Sequence, residues 1–335
     1  MEKKVVVSYE AVPYVRESKK RVLTGFSELD YMLNGIEEGV TEIVGDTNTG
    51  KSIFTLGLID SAVEQGYKVG VFAGEHTLSS FKNLIMRQHA KKNEFVKIPF
   101  VDVNGKATSI VDWYVNEECQ KRVEEKFNDK LFLFDVRCEE RDIGTIERFI
   151  KQCYKEEGVK FFVLDNLMEI DNNKDNQFQE QTAIITRIRN LAIRYHLYIC
   201  LVMHTNKAGG NEGFRLTVKN AFGSSNITNK GYNVLFIYRK DLIETFNNNT
   251  KTLDRFKADC AKCGFDYDKC DAFLEVAKTK GVKNGIVGLN YNADNKKFEQ
   301  AQKVSETEAD KILQELTQRV QDDIFDEEYK GELPF

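Results

Sequence analysis

Gly45-Asp46-Thr47-Asn48-Thr49-Gly50-Lys51-Ser52 is the stretch that decides the fold of this chain. It follows an apolar run, Thr41–Val44, and precedes a helical stripe of Ile53, Leu56, Ile59, Ala62 and Val63. Glycine lets successive backbone N–H groups curl around phosphate oxygens, and the helix behind the loop adds its positive end. The spacing Gly-x4-Gly-Lys-Ser between a strand and a helix therefore predicts a P-loop. All eight residues, Gly45 to Ser52, are expected to bind a nucleoside triphosphate, ATP above all. Lys51 should reach the β- and γ-phosphates, and the Ser52 hydroxyl should ligate Mg²⁺.

Working outward, apolar runs recur at Lys68–Ala73, Leu131–Val136, Lys160–Leu164, Leu197–Met203 and Asn233–Tyr238. They are continuous rather than alternating, which predicts strands covered on both faces. Helical stripes lie between them: Ile143, Ile146, Phe149, Ile150 and Cys153, then Ile184, Ile188, Leu191, Ala192 and Tyr195. The alternation predicts an α/β fold with a mostly parallel sheet and helices on both faces. Phe273–Ala277 and Ile286–Tyr291, joined through Gly281–Gly285, predict an antiparallel pair appended to that sheet. Residues 1–20 read as an arm or linker, 171–179 and 206–225 as polar loops, 304–321 as a polar helix and 322–335 as a disordered acidic tail.

Two carboxylates complete the expected nucleotide site. Lys160–Asp165 is a hydrophobic strand ending in an acid, the Walker B pattern, which assigns Asp165 to Mg²⁺. Hydrolysis also needs a group that orients or deprotonates water. Glu75 ends the strand after the P-loop helix, at the C-terminal edge of the sheet, and is the candidate.

Composition bounds the partners. The formal net charge is −5, yet residues 322–335 hold six acids and one base, so residues 1–321 balance at 47 of each sign. A neutral body argues against coating DNA by bulk charge and leaves room for a local basic lining. No apolar run reaches the ~18 residues of a membrane span, and no export signal follows Met1. A soluble cytoplasmic protein, with no membrane partner, is expected. Of the seven cysteines, Cys119, Cys138, Cys153 and Cys200 stand alone as free thiols would. Cys260, Cys263 and Cys270 cluster in an insertion at 245–272 and read either as a zinc site short of a fourth ligand or as a reduced, thiol-rich surface hairpin.

Together these residues resemble the RecA-like motor domain of DnaB-type replicative helicases, a group that includes phage primase-helicases and the mitochondrial helicase Twinkle. Thr24–Asp30 resembles the family's segment before the P-loop, and Phe72–Glu75 its catalytic-glutamate motif. Asp165-Asn166-Leu167 matches its Walker B, Phe178–His196 its next helix, and Met203-His204-Thr205-Asn206 its sensor strand. Gly223-Ser224-Ser225 with Asn233–Arg239 resembles its second DNA loop and the strand after it. The likeness runs in order over residues 16–300, so 21–303 is read as one RecA-like ATPase domain.

The resemblance implies an ATP hydrolase and DNA helicase, working in phage or bacterial replication as a ring, usually hexameric, with ATP sites between subunits and single-stranded DNA in the channel. It assigns His204 to sensing the γ-phosphate. It assigns Lys278 and Lys280 to the neighbour's ATP, with Lys280 where the family has an arginine finger. Lys174, Lys207, Arg215, Lys219 and Asn220 become the candidate DNA contacts. The C-terminus, ending Leu333-Pro334-Phe335, resembles the acidic tail of bacterial single-stranded-DNA-binding proteins and reads as a docking peptide for a primase, loader or other replication protein, or else as a solubilising tail. The alternative function is a RecA- or KaiC-like ATPase without unwinding, acting as recombination mediator, helicase loader or signalling ring. A small-molecule kinase shares the P-loop but would need an acceptor site, and none is legible.

Overall fold

The structure is a computed structural model that describes residues 21–101, 107–135, 141–166, 177–205, 214–218, 232–247 and 250–329, with the single residues 105, 137 and 170. The chain opens with α1 (Ser27–Leu33) and β1 (Gly39–Gly45), then α2 (Lys51–Glu64), β2 (Val69–Ala73) and α3 (Leu78–His89). A hairpin of β3 (Phe95–Val101) and β4 (Ala107–Val115) follows, then α4 (Glu117–Phe127), β5 (Leu131–Leu133), α5 (Ile143–Glu157) and β6 (Phe161–Asp165). After them come α6 (Gln177–Tyr195), β7 (Tyr198–His204), β8 (Asn233–Arg239), α7 (Lys240–Phe246) and α8 (Thr250–Lys262). The chain closes with β9 (Ala272–Lys278), β10 (Gly285–Asn292), β11 (Lys297–Gln300) and α9 (Glu306–Tyr329).

Nine strands form one sheet in the order β11-β10-β9-β8-β1-β7-β6-β2-β5. From β8 to β5 every pairing is parallel, while β9, β10 and β11 are antiparallel. All seven residues of β1 are buried, so both faces of the sheet are covered, as its unbroken apolar run implies. The appended element is three strands rather than the expected pair. The third, β11, places Phe298 directly against the P-loop glycine Gly50.

Local chemistry explains the Thr24–Asp30 motif. The Thr24 N–H and hydroxyl both donate to Asp30 Oδ1, at 2.6 and 2.8 Å, which closes the turn into α1. The helix ends at Asn34 in the left-handed conformation, with Leu29, Met32 and Leu33 facing the core. The motif is thus a structural clasp for the strand that carries the P-loop.

Three expectations change. The strand expected over Leu131–Val136 ends at Leu133. The last helix begins at Glu306 and extends to Tyr329, past the boundary at 321 into the segment expected to be disordered. The insertion is not a surface hairpin and the zinc reading is not supported. It carries α8, on which Cys260 is fully buried. Cys270 is 2% exposed, and Cys263 Sγ accepts from the Ile286 N–H at 3.2 Å. A Cβ on Gly288 would lie 2.5 Å from Cys270 Sγ, so this thiol fills the space over β10. Burial pushes the Cys270 thiol up to about 12 and Cys260 well above its ordinary value, whereas zinc binds thiolate. Among the described residues no group of three or more His, Cys, Asp or Glu could hold a metal. We therefore expect a zinc chelator to leave the thermal midpoint unchanged; a fall of several degrees, reversed by zinc, would contradict this packing.

Candidate nucleotide site

The P-loop joins the end of β1 to the start of α2, and its backbone explains its glycines. Asn48 has φ +64° and Gly50 φ +94°, the left-handed region that glycine enters without cost. A side chain at Gly50 would also strike the Phe298 ring, 2.7 Å from the Cβ position. Thr49 braces the loop by donating its hydroxyl to Asp46 O at 2.9 Å. Thr205, just past β7, donates its hydroxyl to Asp46 Oδ1.

Four parallel strands then bring the chemistry to one edge. β1, β7, β6 and β2 lie side by side, and their C-terminal ends carry the P-loop, His204, Asp165 and, two residues past β2, Glu75. This is where open α/β sheets bind ligands. Lys51 is 5% exposed, and its ammonium donates to Gly45 O at 2.9 Å and Asp46 O at 2.6 Å, with His204 Nδ1 at 3.2 Å. Lys51 can only donate while charged, so His204 Nδ1 accepts from it. His204 Nε2 in turn lies 3.4 Å from Glu75 Oε1.

Asn166 completes this network, and sequence reading gave it no role. Its side-chain amide donates to Glu75 Oε1 and lies 2.9 Å from His204 Nε2. Because His204 Nδ1 accepts from Lys51, its proton sits on Nε2, and Nε2–H and the Asn166 amide both converge on Glu75 Oε1 across three strand ends. The signal in the sequence was an amide directly after the Walker B acid, but its partners lie 91 and 38 residues away.

The site is electrostatically tense. Burial lowers the Lys51 pKa to about 8, against the pull of Asp165, Glu75 and Asp46. Burial also raises the Asp165 carboxyl above its ordinary value, opposed by a hydrogen bond from Ser52 and reinforced by the nearby charge of Glu75. Ser52 and Asp165 therefore offer hard oxygen ligands in mutual contact. Mg²⁺ suits that donor set, because it takes one or two protein ligands and completes its shell with phosphates and water.

The Lys51 shift has a sign that can be tested. Raising the pH through about 8 removes the charge that a triphosphate needs, so ATP affinity should fall, approaching tenfold per unit at higher pH. The empty protein should gain stability over the window from about 8 up to the ordinary lysine value. There the unfolded chain binds a proton that the folded chain has released. Titration with a fluorescent ATP analogue checks the first effect; affinity flat up to about pH 9 would contradict it.

Lys278 and Lys280 lie elsewhere. Lys278 pairs with Val234, which pairs with Glu42, three residues back along β1 from Gly45. The Lys280 ammonium sits 4.0 Å over the Tyr232 ring, and the Tyr232 N–H donates to Val40 O. Lys280 is thus level with Val40, about 17 Å back along the strand from the P-loop and two strands to the side. It cannot reach its own chain's phosphate loop. Burial lowers the Lys278 pKa, against the pull of Glu42, and the charge of Lys280 adds to the lowering.

One candidate DNA contact lies among the described residues. Arg215 is not a solvated loop cation but is turned into the fold, bonded to Asp259 at 2.7 Å and Glu275 at 2.9 Å. Lys174, Lys207, Lys219, Asn220, Gly223–Ser225 and the tail residues Leu333, Pro334 and Phe335 lie outside the described residues. Among the described residues no helix is long and apolar enough to cross a membrane.

Comparison with known proteins agrees with this geometry. A search of the curated proteins returns no match. Among solved structures, the chain is similar to a DnaB-like replicative helicase studied for its interactions with primase. The TM-score is 0.64 at 14% identity, with 88% of this chain and 65% of that one covered. It therefore spans less than two thirds of that helicase's length. A second solved structure, an ATPase domain, matches with a TM-score of 0.63 at 14% identity, over 85% of this chain and 92% of that domain. A KaiC-like protein from Pyrococcus horikoshii OT3 matches with 0.54 at 11% identity, over 84% and 99%. These likenesses show a RecA-like fold. The profile of the DnaB-like helicase C-terminal domain matches residues 21–300, and the chain belongs to that family.

Proposed function

We propose that this chain is an ATP-driven single-stranded-DNA translocase, the motor of a replicative DNA helicase of phage or bacterial type, hydrolysing Mg²⁺-ATP between subunits of a ring. The carrying observation is the split between two sets of residues. Lys51, Ser52, Glu75, Asp165 and His204 gather at one sheet edge, while Lys278 and Lys280 lie away from it on β9 and its following turn. A neighbouring copy would bring its lysines to this copy's γ-phosphate. A lysine at 280 supplies charge without the planar fork of arginine, so its transition-state contribution rests on a single placed charge.

In this reading Lys51 and the loop N–H groups hold the β- and γ-phosphates, and Ser52 and Asp165 hold Mg²⁺, which supplies charge neutralisation when bound. Glu75 takes the proton of the attacking water. His204 lies between Lys51 and Glu75, where loss of the γ-phosphate would be felt. DNA contact by the loops expected at 171–179 and 206–225, and hexameric assembly, are parts of the same proposal. The test is steady-state ATP turnover with and without single-stranded DNA. Stimulation that duplex DNA does not reproduce supports a translocase. Turnover indifferent to DNA favours the second reading, a KaiC-like ATPase ring without unwinding, to which the lysine at 280 and the KaiC-like fold also lend support.

A further inference from the structure

The connection from β7 to β8 spans residues 205–232, of which 205, 214–218 and 232 are described. It is held at its centre. Arg215 places one guanidinium nitrogen on Asp259 of α8 and another on Glu275 of β9, with its guanidinium carbon 5.4 Å from the centre of the Phe256 ring. Beside it, the Leu216 N–H donates to the Tyr238 hydroxyl at 3.1 Å, and that hydroxyl donates to the second oxygen of Glu275 at 2.9 Å. Phe214 packs edge-on against both Tyr238 and Phe256, at 6.1 and 5.3 Å. Burial opposes the charge on Arg215, but Glu275 and Asp259 outweigh it and hold the arginine ionised.

Glu275 joins the connection to the strand. It accepts from Arg215 and Tyr238 at once, and it stands three residues before Lys278 on β9. β9 is laddered on both sides, to β8 and β10, so Glu275 and Lys278 sit on one rigid element. One end of the anchored connection follows His204, and beyond the anchor lie Lys219 and Asn220.

We propose that Arg215 is a positioning residue that couples the β7–β8 connection to β9 and the turn after it, which carry Lys278 and Lys280, so that DNA engagement changes ATP turnover in the neighbouring site. The proposal rests on the translocase reading above. It assigns Arg215 no contact with DNA or nucleotide. It makes the Arg215–Glu275–Tyr238 cluster the link between DNA loop and finger strand, with Asp259 as the second anchor. Lysine cannot replace the fork, since one ammonium does not span both carboxylates with arginine's fixed geometry.

The experiment compares full-length wild type, Arg215→Lys and Glu275→Gln for basal ATP turnover, turnover with saturating oligo-dT, oligo-dT affinity and thermal midpoint. The expected result is a basal rate and oligo-dT affinity close to wild type, with the DNA stimulation ratio reduced roughly 2- to 30-fold in both variants. Combining the two substitutions should cost little more than either alone, because both cut one link. If wild type is stimulated and both variants keep the full ratio, the coupling role is overturned. A loss of basal rate in step with a fallen thermal midpoint overturns it as well, leaving a stabilising contact only. Reduced oligo-dT affinity with an unchanged saturated ratio would overturn it too and restore Arg215 to direct DNA binding. If wild type itself ignores oligo-dT, the translocase reading fails first and the coupling falls with it.

Discussion

Replacing Glu75 by Gln is expected to lower ATP turnover by about 10²–10⁴-fold, the usual contribution of a general base, while ATP binding stays near wild type. The carboxylate faces both the Asn166 amide and His204 Nε2, and the other ring nitrogen of His204 meets Lys51. It follows β2, so it shares an edge with Asp165, to which Ala73 is the register partner. Glutamine keeps the shape and the hydrogen bond from Asn166 but cannot accept a proton from water. It also removes a negative charge near Asp165, which should weaken Mg²⁺ binding, but far less than turnover falls, because Glu75 is not one of the assigned ligands. Rapid-quench single-turnover kinetics separate the two. A Glu75→Gln protein that turns over ATP within tenfold of wild type would remove Glu75 from the chemistry.

Replacing Lys51 by Ala is expected to abolish turnover and weaken ATP binding roughly 30- to 5000-fold, the loss of a desolvated charge-assisted contact at ~2–5 kcal/mol. The physical reason is specific to this site. Lys51 is nearly fully buried and held by two carbonyls and His204, an arrangement that keeps its ammonium in place before the phosphates arrive. Alanine would remove the ammonium donor from Gly45 O and one of the donors from Asp46 O. Isothermal titration with a non-hydrolysable ATP analogue reads the binding loss directly. Affinity close to wild type would mean that the loop N–H groups alone carry the phosphates.

The nucleotide site was legible in sequence because its signals are local. A glycine-rich turn after an apolar run fixes a P-loop whatever lies far away, and strands buried on both faces announce themselves as unbroken apolar runs. The features that escaped are those that exist only in three dimensions. Asn166 acquires its role because β2, β6 and β7 end side by side. Phe298 reaches Gly50 only through the antiparallel return of β11, a four-residue strand with two charged or amide positions at its ends. Arg215, set among glycines and asparagines, has the sequence context of a solvated loop base; its carboxylate partners stand 44 and 60 residues further on. The cysteine spacing suited metal and core alike, and burial decided between them. The β3–β4 hairpin was overlooked, its first strand interrupted by Pro99. The acidic end was read from its charge, which governs solubility and partners rather than backbone conformation.

If one copy's Glu75 and another copy's Lys280 serve the same ATP, mixing Glu75→Gln protein with Lys280→Ala protein exposes it most directly. Each should turn over ATP slowly alone. In a mixed assembly, an Lys280→Ala copy supplies an intact Glu75, and a Glu75→Gln copy beside it supplies an intact Lys280. Turnover well above the sum of the parents, appearing only after subunits exchange, is the predicted result. A mixture no faster than its parents, or a Lys280→Ala protein as fast as wild type, would contradict a shared site.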